Sequence, residues 1–215
     1  MRKLLVLPFA VALLFSCNNK SEKASRPFCT SPCNTDSLKF QGDSKFKPEV
    51  VIGLKDCMAD TLAWGHYLMD FNKTIQMEGF LGQKVKMNPA AVSCIIKDTS
   101  VAWLTFNDCN TGRGYLLKLP FAKKSTIGKY TGALNAFDPK FAVEKDLRAY
   151  TDRGSIFVIN IENGKEGAMS FKEYYDIDFN DLHKVVDTIN VSAKRIWVRL
   201  LKNGQPVEFE KEVEL

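Results

Sequence analysis

The residues that could do chemistry are sparse and form three groups. The first is cysteine, present at 17, 29, 33, 57, 94 and 109. Cys29 and Cys33, in Cys-Thr-Ser-Pro-Cys, are spaced to close a small loop, and Cys57, Cys94 and Cys109 lie near the ends of extended segments, where two of them can pair. Spacing alone does not set the connectivity. A metal reading is poorly served, because Cys-x3-Cys has no second pair and the chain holds only two histidines. The second group is acidic. Asp176, Asp178, Asn180 and Asp187 stand at positions 1, 3, 5 and 12 of a calcium-loop pattern, where hard oxygen ligands belong. Against it, the glycine that makes the sharp turn is replaced by Asp181, and His183 takes an apolar position; helix caps and surface acids explain the same residues. The third group is Trp197 with Arg195 and Arg199 at alternating positions, a pattern suited to a sugar or protein contact if the ring is exposed. The competing reading covers the ring with a second layer or with the arginines themselves.

His66 shares an alternating face with Leu62, Trp64 and Leu68 and reads as a hydrogen-bonded core residue, and His183 as a surface one. No nucleophile elbow, zinc-protease or phosphate-loop motif is present. The glycines of Asn110-Thr-Gly-Arg-Gly114 suit a hairpin loop better than an anion cradle. No catalytic residue and no cofactor is assigned, and the leaning is away from an enzyme.

The elements that must position these residues are short and extended. Runs at 37–41, 49–55, 61–69, 74–80, 91–97, 100–107, 115–121, 147–151, 155–162 and 165–171 read as strands, with Arg153-Gly154 and Asn163-Gly164 as hairpin turns. Asp138-Pro139 is placed to open a short helix. The clearest hairpin is 195–202 with 205–215 about Asn203-Gly204: Leu200 faces Val207, Val198 faces Phe209, Arg199 faces Glu208 and Arg195 faces Glu212. One stretch departs from this pattern. Phe179, Leu182, Val185, Val186 and Ile189 recur at helical spacing. The expected fold is therefore mainly β, antiparallel hairpins forming a sandwich or partly open barrel, with a helical insertion near 171–189. A small β-propeller-like domain is the alternative.

The N-terminus fixes the expected address. Arg2 and Lys3 precede the apolar run Leu4–Phe15, which ends in Leu14-Phe15-Ser16-Cys17 and drops at once to Asn18, Asn19 and Lys20. This has the form of a secretory signal, and it is shorter than the roughly 20 residues a membrane-spanning helix needs. Leu-Phe-Ser-Cys resembles the lipobox of bacterial lipoproteins. The resemblance implies cleavage between Ser16 and Cys17, acylation of Cys17, and a partner membrane reached through that anchor. Asn18 in place of Asp leans toward the outer membrane. The organisation is then a signal peptide at 1–16, a lipidated cysteine and flexible spacer at 17–27, and one mainly β domain at 28–215. Five basic residues and one acidic residue fall in 1–26, so the formal charge of +5 leaves the remainder near +1, and no nucleic-acid partner is implied. Export also makes disulfides the default for the remaining cysteines.

These readings favour a membrane-tethered binding or structural module of the cell envelope, holding a protein or glycan. An envelope hydrolase acting on glycan or peptide and a thiol-redox protein are the alternatives.

Overall fold

The computed structural model describes Cys29 and residues 36–66, 71–171 and 175–215. The expected signal peptide, the Cys17 attachment point, Cys33 and the spacer lie outside the described residues. Among the described residues, no helix is long and apolar enough to cross a membrane.

The described residues form four four-stranded sheets. The first is an antiparallel meander of β1 (Leu38–Gln41), β2 (Pro48–Lys55), β3 (Met58–His66) and β4 (Phe71–Gln76), closed by the short helix α1 (Met77–Leu81). The second repeats the plan with β5 (Val92–Lys97), β6 (Val101–Asn107), β7 (Gly114–Pro120) and β8 (Gly128–Tyr130). The next two sheets are interleaved in sequence. β9 (Ala133–Leu134) joins β11 (Leu147–Asp152), β12 (Ser155–Asn160) and β13 (Glu166–Ser170) in the third sheet. β10 (Phe141–Val143) lies parallel to β14 (Val186–Ser192), which continues into the hairpin of β15 (Arg195–Lys202) and β16 (Gln205–Glu212).

Three apolar clusters stack these sheets face to face. Val50, Ile52 and Leu62 of the first sheet pack on Leu104, Phe106 and Leu117 of the second. Trp103 and Leu116, on the opposite face of the second sheet, meet Ile159 of the third. Ala149, Ile156 and Val158 of the third then pack on Ile189, Ile196 and Val198 of the fourth. Burial follows from this order. The second sheet is covered on both faces, so β6 is buried at six consecutive positions, Ala102 to Asn107. An end sheet is covered on one face only, so β2 and β15 alternate buried with half-exposed residues. The architecture is thus mainly β, with sandwich packing continued through four layers. Trp64 and Trp103 are both core residues, and Trp64 Nε1 donates to Pro120 O at 3.0 Å, joining the first sheet to the second.

The terminal hairpin has the expected register at all four pairs, and Asn203 and Gly204 both take positive φ. Arg153 and Gly154 do likewise, whereas at Asn163-Gly164 only Gly164 is left-handed. Of the helical insertion expected near 171–189, the described residues form no α-helix. A 3-10 turn spans Leu182–Lys184, and Val186 onward is strand β14. The cause is a bulge. Between the pairs Val186↔Leu200 and Ile189↔Val198, Arg199 is opposed by two residues, Asp187 and Thr188. The extra residue keeps Val186 and Ile189 both pointing inward at a separation of three, a spacing that imitates a helix turn. Two further expectations are corrected. The strand expected at 74–80 ends at Gln76 and gives way to α1, whose Met77 and Leu81 are buried. Asp138-Pro139 opens no helix; it lies in the turns between β9 and β10, with Asp138 Oδ1 accepting from Lys140 N at 3.0 Å.

Candidate functional site

An apolar recess with a few polar side chains lies between the second and third sheets. At one end of that interface Trp103 and Ile159 fill the gap, and Lys97 pairs with Glu162 across it. At the other end the facing side chains are small or polar. Ser93 and Thr105 are cross-strand neighbours on β5 and β6, and Ala133 stands opposite on β9. Residues of this size do not fill the space, and a cleft of about 370 Å³ remains. Its apolar walls include Ile95, Leu116, Phe137 and Leu147. The segment after β9 borders it and is held there by Asn135, whose Nδ2 donates to Asn107 Oδ1 at 2.6 Å and whose Oδ1 accepts from Phe137 N at 3.2 Å.

Two polar groups in the cleft are not fully satisfied. Thr105 is 5% exposed, and its buried hydroxyl has no hydrogen-bond partner. Arg148, on β11, uses Nη1 to donate to Lys145 O at 3.0 Å and Leu147 O at 2.6 Å, while its buried Nε has no partner. Burial lowers the Arg148 pKa, and the charge of Asp146 opposes that shift. Buried polar groups are normally paired, because leaving one unpaired costs about 1–3 kcal/mol. Two in one apolar recess make it the candidate site, since binding sites are largely apolar with a few fixed polar groups.

The candidates read from sequence are placed elsewhere. Cys29 is bonded to Cys109 across 80 residues, which replaces the small Cys29–Cys33 loop. Cys57, at the tip of the β2–β3 hairpin, is also disulfide-bonded. Among the described residues Cys94 is the free thiol, and burial pushes its pKa up to about 12. Because the thiolate is the reactive form, this environment gives little support to a thiol-redox role for Cys94. The candidate calcium ligands are not assembled. Asp178 Oδ1 accepts from Asn180 N at 2.9 Å, and Asp187 is paired with Lys140 at 3.0 Å and Arg199 at 2.7 Å. Asp176 is exposed. Among the described residues, no three His, Cys, Asp or Glu side chains gather to hold a metal ion. Trp197 is half-buried on the outer face of the fourth sheet, opposite Glu210. Of its flanking arginines, Arg199 is bound to the bulge residue Asp187, and Arg195 Nη1 is 3.7 Å from Glu210.

Both histidines have structural surroundings. His66 is buried against the ring of Phe121 at 4.9 Å and that of Phe46 at 6.2 Å. His183 lies with Nδ1 3.0 Å from Val186 O and Nε2 2.7 Å from Asp138 Oδ2. With both nitrogens engaged, the ring ties the 3-10 turn to the segment before β10 and presents no free base. The hydrogen bond to Asp138 raises the His183 pKa above 6.5, outweighing burial. Burial alone would raise Asp138, but the hydrogen bonds from His183 and Lys140 and their charges hold it below 3.8. The pair therefore contributes fully between 3.8 and 6.5, fades as pH rises through the folded His183 pKa, and fades again as pH falls through that of Asp138. The contribution is under about 1 kcal/mol, because the His183 side chain is 38% exposed. His183→Gln is accordingly expected to lower the melting temperature most at pH 5–6 and least near pH 9, measured beside the parent by calorimetry. An equal loss at both pH values would show that the pair carries no charge.

Sequence reasoning did not single out Ser93, Thr105 or Arg148. Thr105 left one signal, a lone hydroxyl inside Val-Ala-Trp-Leu-Thr-Phe, a run otherwise suited to complete burial. Arg148 left none, since alternation along Leu-Arg-Ala-Tyr-Thr assigns it to solvent.

No family model matches the chain, and no curated protein matches it. Among solved structures, the crystal structure of the WD40 domain of SCAP from fission yeast is similar over 86% of this chain at 10% identity, with a TM-score of 0.27. The match spans 55% of that chain, and a likeness of this strength assigns neither fold nor function.

Proposed function

We propose that the protein is a lipid-tethered binding module of the cell envelope, anchored through Cys17 and using the cleft between its second and third sheets to hold a small ligand. The observation that carries the cleft is the unpartnered, buried Thr105 hydroxyl facing an apolar recess of about 370 Å³. The tether rests on the lipobox-like Leu14-Phe15-Ser16-Cys17. Two acyl chains on one cysteine would hold the module firmly, since each buried methylene contributes about 0.8 kcal/mol. The outer membrane is the expected surface.

Two arms test this reading. Metabolic labelling with a clickable palmitate is expected to mark the wild type and not Cys17→Ser; equal labelling would remove the anchor. For the cleft, the protein is purified from membranes and its bound small molecules are extracted into solvent. Ser93→Trp, on the edge strand β5, places a large ring at the cleft. A compound recovered with the wild type should be depleted in that variant. Identical extracts from the two proteins would remove the cleft as the ligand site.

The outer face of the fourth sheet supports a second reading, contact with a protein or glycan, because Trp197 remains half-exposed there among charged neighbours. It is the weaker one, since Asp187 already engages Arg199.

A further inference from the structure

We infer that the ligand of the cleft is a small amphipathic carboxylate, an apolar body carrying one singly charged acid group. The inference rests on the cleft being the binding site and adds the chemical class of what enters it.

Four features select this class. The walls formed by Ile95, Leu116, Phe137 and Leu147 are apolar, so the body of the ligand must be apolar too. The polar groups left over are donors. Thr105 Oγ has a proton to give, and Arg148 Nε is an N–H with no acceptor. Each remaining donor suits a carboxylate oxygen, and a guanidinium strengthens such a bond through its charge. A neutral alcohol or amide would gain less from the charge of the half-buried Arg148.

Charge count argues against a dianion. Glu144 and Lys145 border the cleft with opposite signs, and Asp146 acts on Arg148 from outside it. Glu144 is already committed, its Oε2 accepting from Ala193 N at 2.8 Å. The cleft therefore offers about one net positive charge at close range, enough for a carboxylate and short of what a phosphate monoester asks. Arg148 is also held in place before any ligand arrives, because its Nη1 is fixed by the carbonyls of Lys145 and Leu147. That fixed geometry lowers the entropy lost on binding.

Thr105 predicts a trade between stability and binding. Thr105→Val keeps the shape and removes the unpaired hydroxyl, so the free protein should melt higher while the ligand binds less well.

The test uses the full-length protein in native membranes and two photoreactive probes of equal chain length, a diazirine-bearing octanoate and the matching octanol. Labelled peptides are mapped by mass spectrometry. Wild type is expected to take the octanoate probe into the peptides carrying Ser93–Ile95 and Asn135–Ala149, at least about tenfold above the octanol probe. Arg148→Met should erase that preference, and Arg148→Lys should restore part of it. Thr105→Val should weaken octanoate labelling about fivefold or more while raising the melting temperature, so a failure to fold cannot explain the loss. Equal labelling of the cleft by octanol and octanoate would overturn the inference and leave the cleft a binding site. Cleft labelling by neither probe would overturn the inference, and if the Ser93→Trp extract also matched that of the wild type, the proposed site would fall with it.

Discussion

Gly114→Ala is expected to destabilise the fold by roughly 3 kcal/mol or more, among the larger effects a single methyl can have. Gly114 begins β7, and its backbone runs against β9 of the next sheet. A Cβ at this position would overlap the carbonyl oxygen of Ala133, with the carbonyl carbon at 2.9 Å and Asn135 Nδ2 at 3.3 Å. The obstacle is backbone and cannot rotate aside. Both strands are also held in ladders, Gly114 opposite Asn107 and Ala133 opposite Tyr150. Relief therefore requires the second and third sheets to part, which would strain the Asn135–Asn107 hydrogen bond at the cleft. For a chain of this size the melting temperature should fall by roughly 6–12 °C. Urea midpoints measured on parent and variant give an independent value. An unchanged midpoint would mean that the two sheets do not meet at Gly114. Gly82, by contrast, has nothing within 4 Å of a built Cβ, and its constraint is a φ of +81° at the end of α1.

Removing the Cys29–Cys109 bridge is the second large effect. The bond closes 80 residues of chain, and constraining a loop of that length in the unfolded state is worth about 4 kcal/mol on the chain-entropy account. The receiving loop also has hydrogen bonds of its own. Asp108 accepts through Oδ1 from Lys86 N at 3.0 Å and Asn110 N at 3.1 Å, and through Oδ2 from the Thr111 hydroxyl at 2.7 Å. The bridge thus attaches the start of the domain to a loop already fixed on the first two sheets. Cys29→Ser, Cys109→Ser and the double variant should all lose about the same stability by denaturant titration, since either change removes the same bond. A double variant clearly weaker than both singles would show that the two cysteines act separately. The bridge would also keep the N-terminal end of the folded part from fraying.

Local pattern was informative where the two faces of a strand differ. In β15 and β16, apolar residues on one side and opposite charges on the other, centred on Asn203-Gly204, allowed a single register, and that register is formed. The end sheets are legible for this reason. β14 was not, because its bulge changed the spacing of buried residues from two to three, and periodicity cannot distinguish that shift from a helix turn. The disulfides were not legible either. Cys29 and Cys33 are neighbours in sequence, but pairing depends on which loops the stacked sheets bring within about 6 Å.

The cleft belongs to the same second class. Thr105 and Ser93 share a face of the second sheet, and that much follows from alternation. That the face is covered at all, and that Arg148 faces it from another sheet, depends on how separate hairpins stack. Sequence alone determined the fold class of the protein, through short amphipathic strands and turn residues with positive φ. Those features are set within a few residues, by side-chain alternation and backbone sterics. Tertiary structure decided the rest, namely the order of the four sheets, the Cys29–Cys109 pairing and the site. These depend on burial between segments far apart in the chain, and hydrophobic contact carries no address of its own. The misfit of small and polar residues at one end of an otherwise filled interface created the cleft, and only the stacking of two sheets turned it into a place where a ligand can be held.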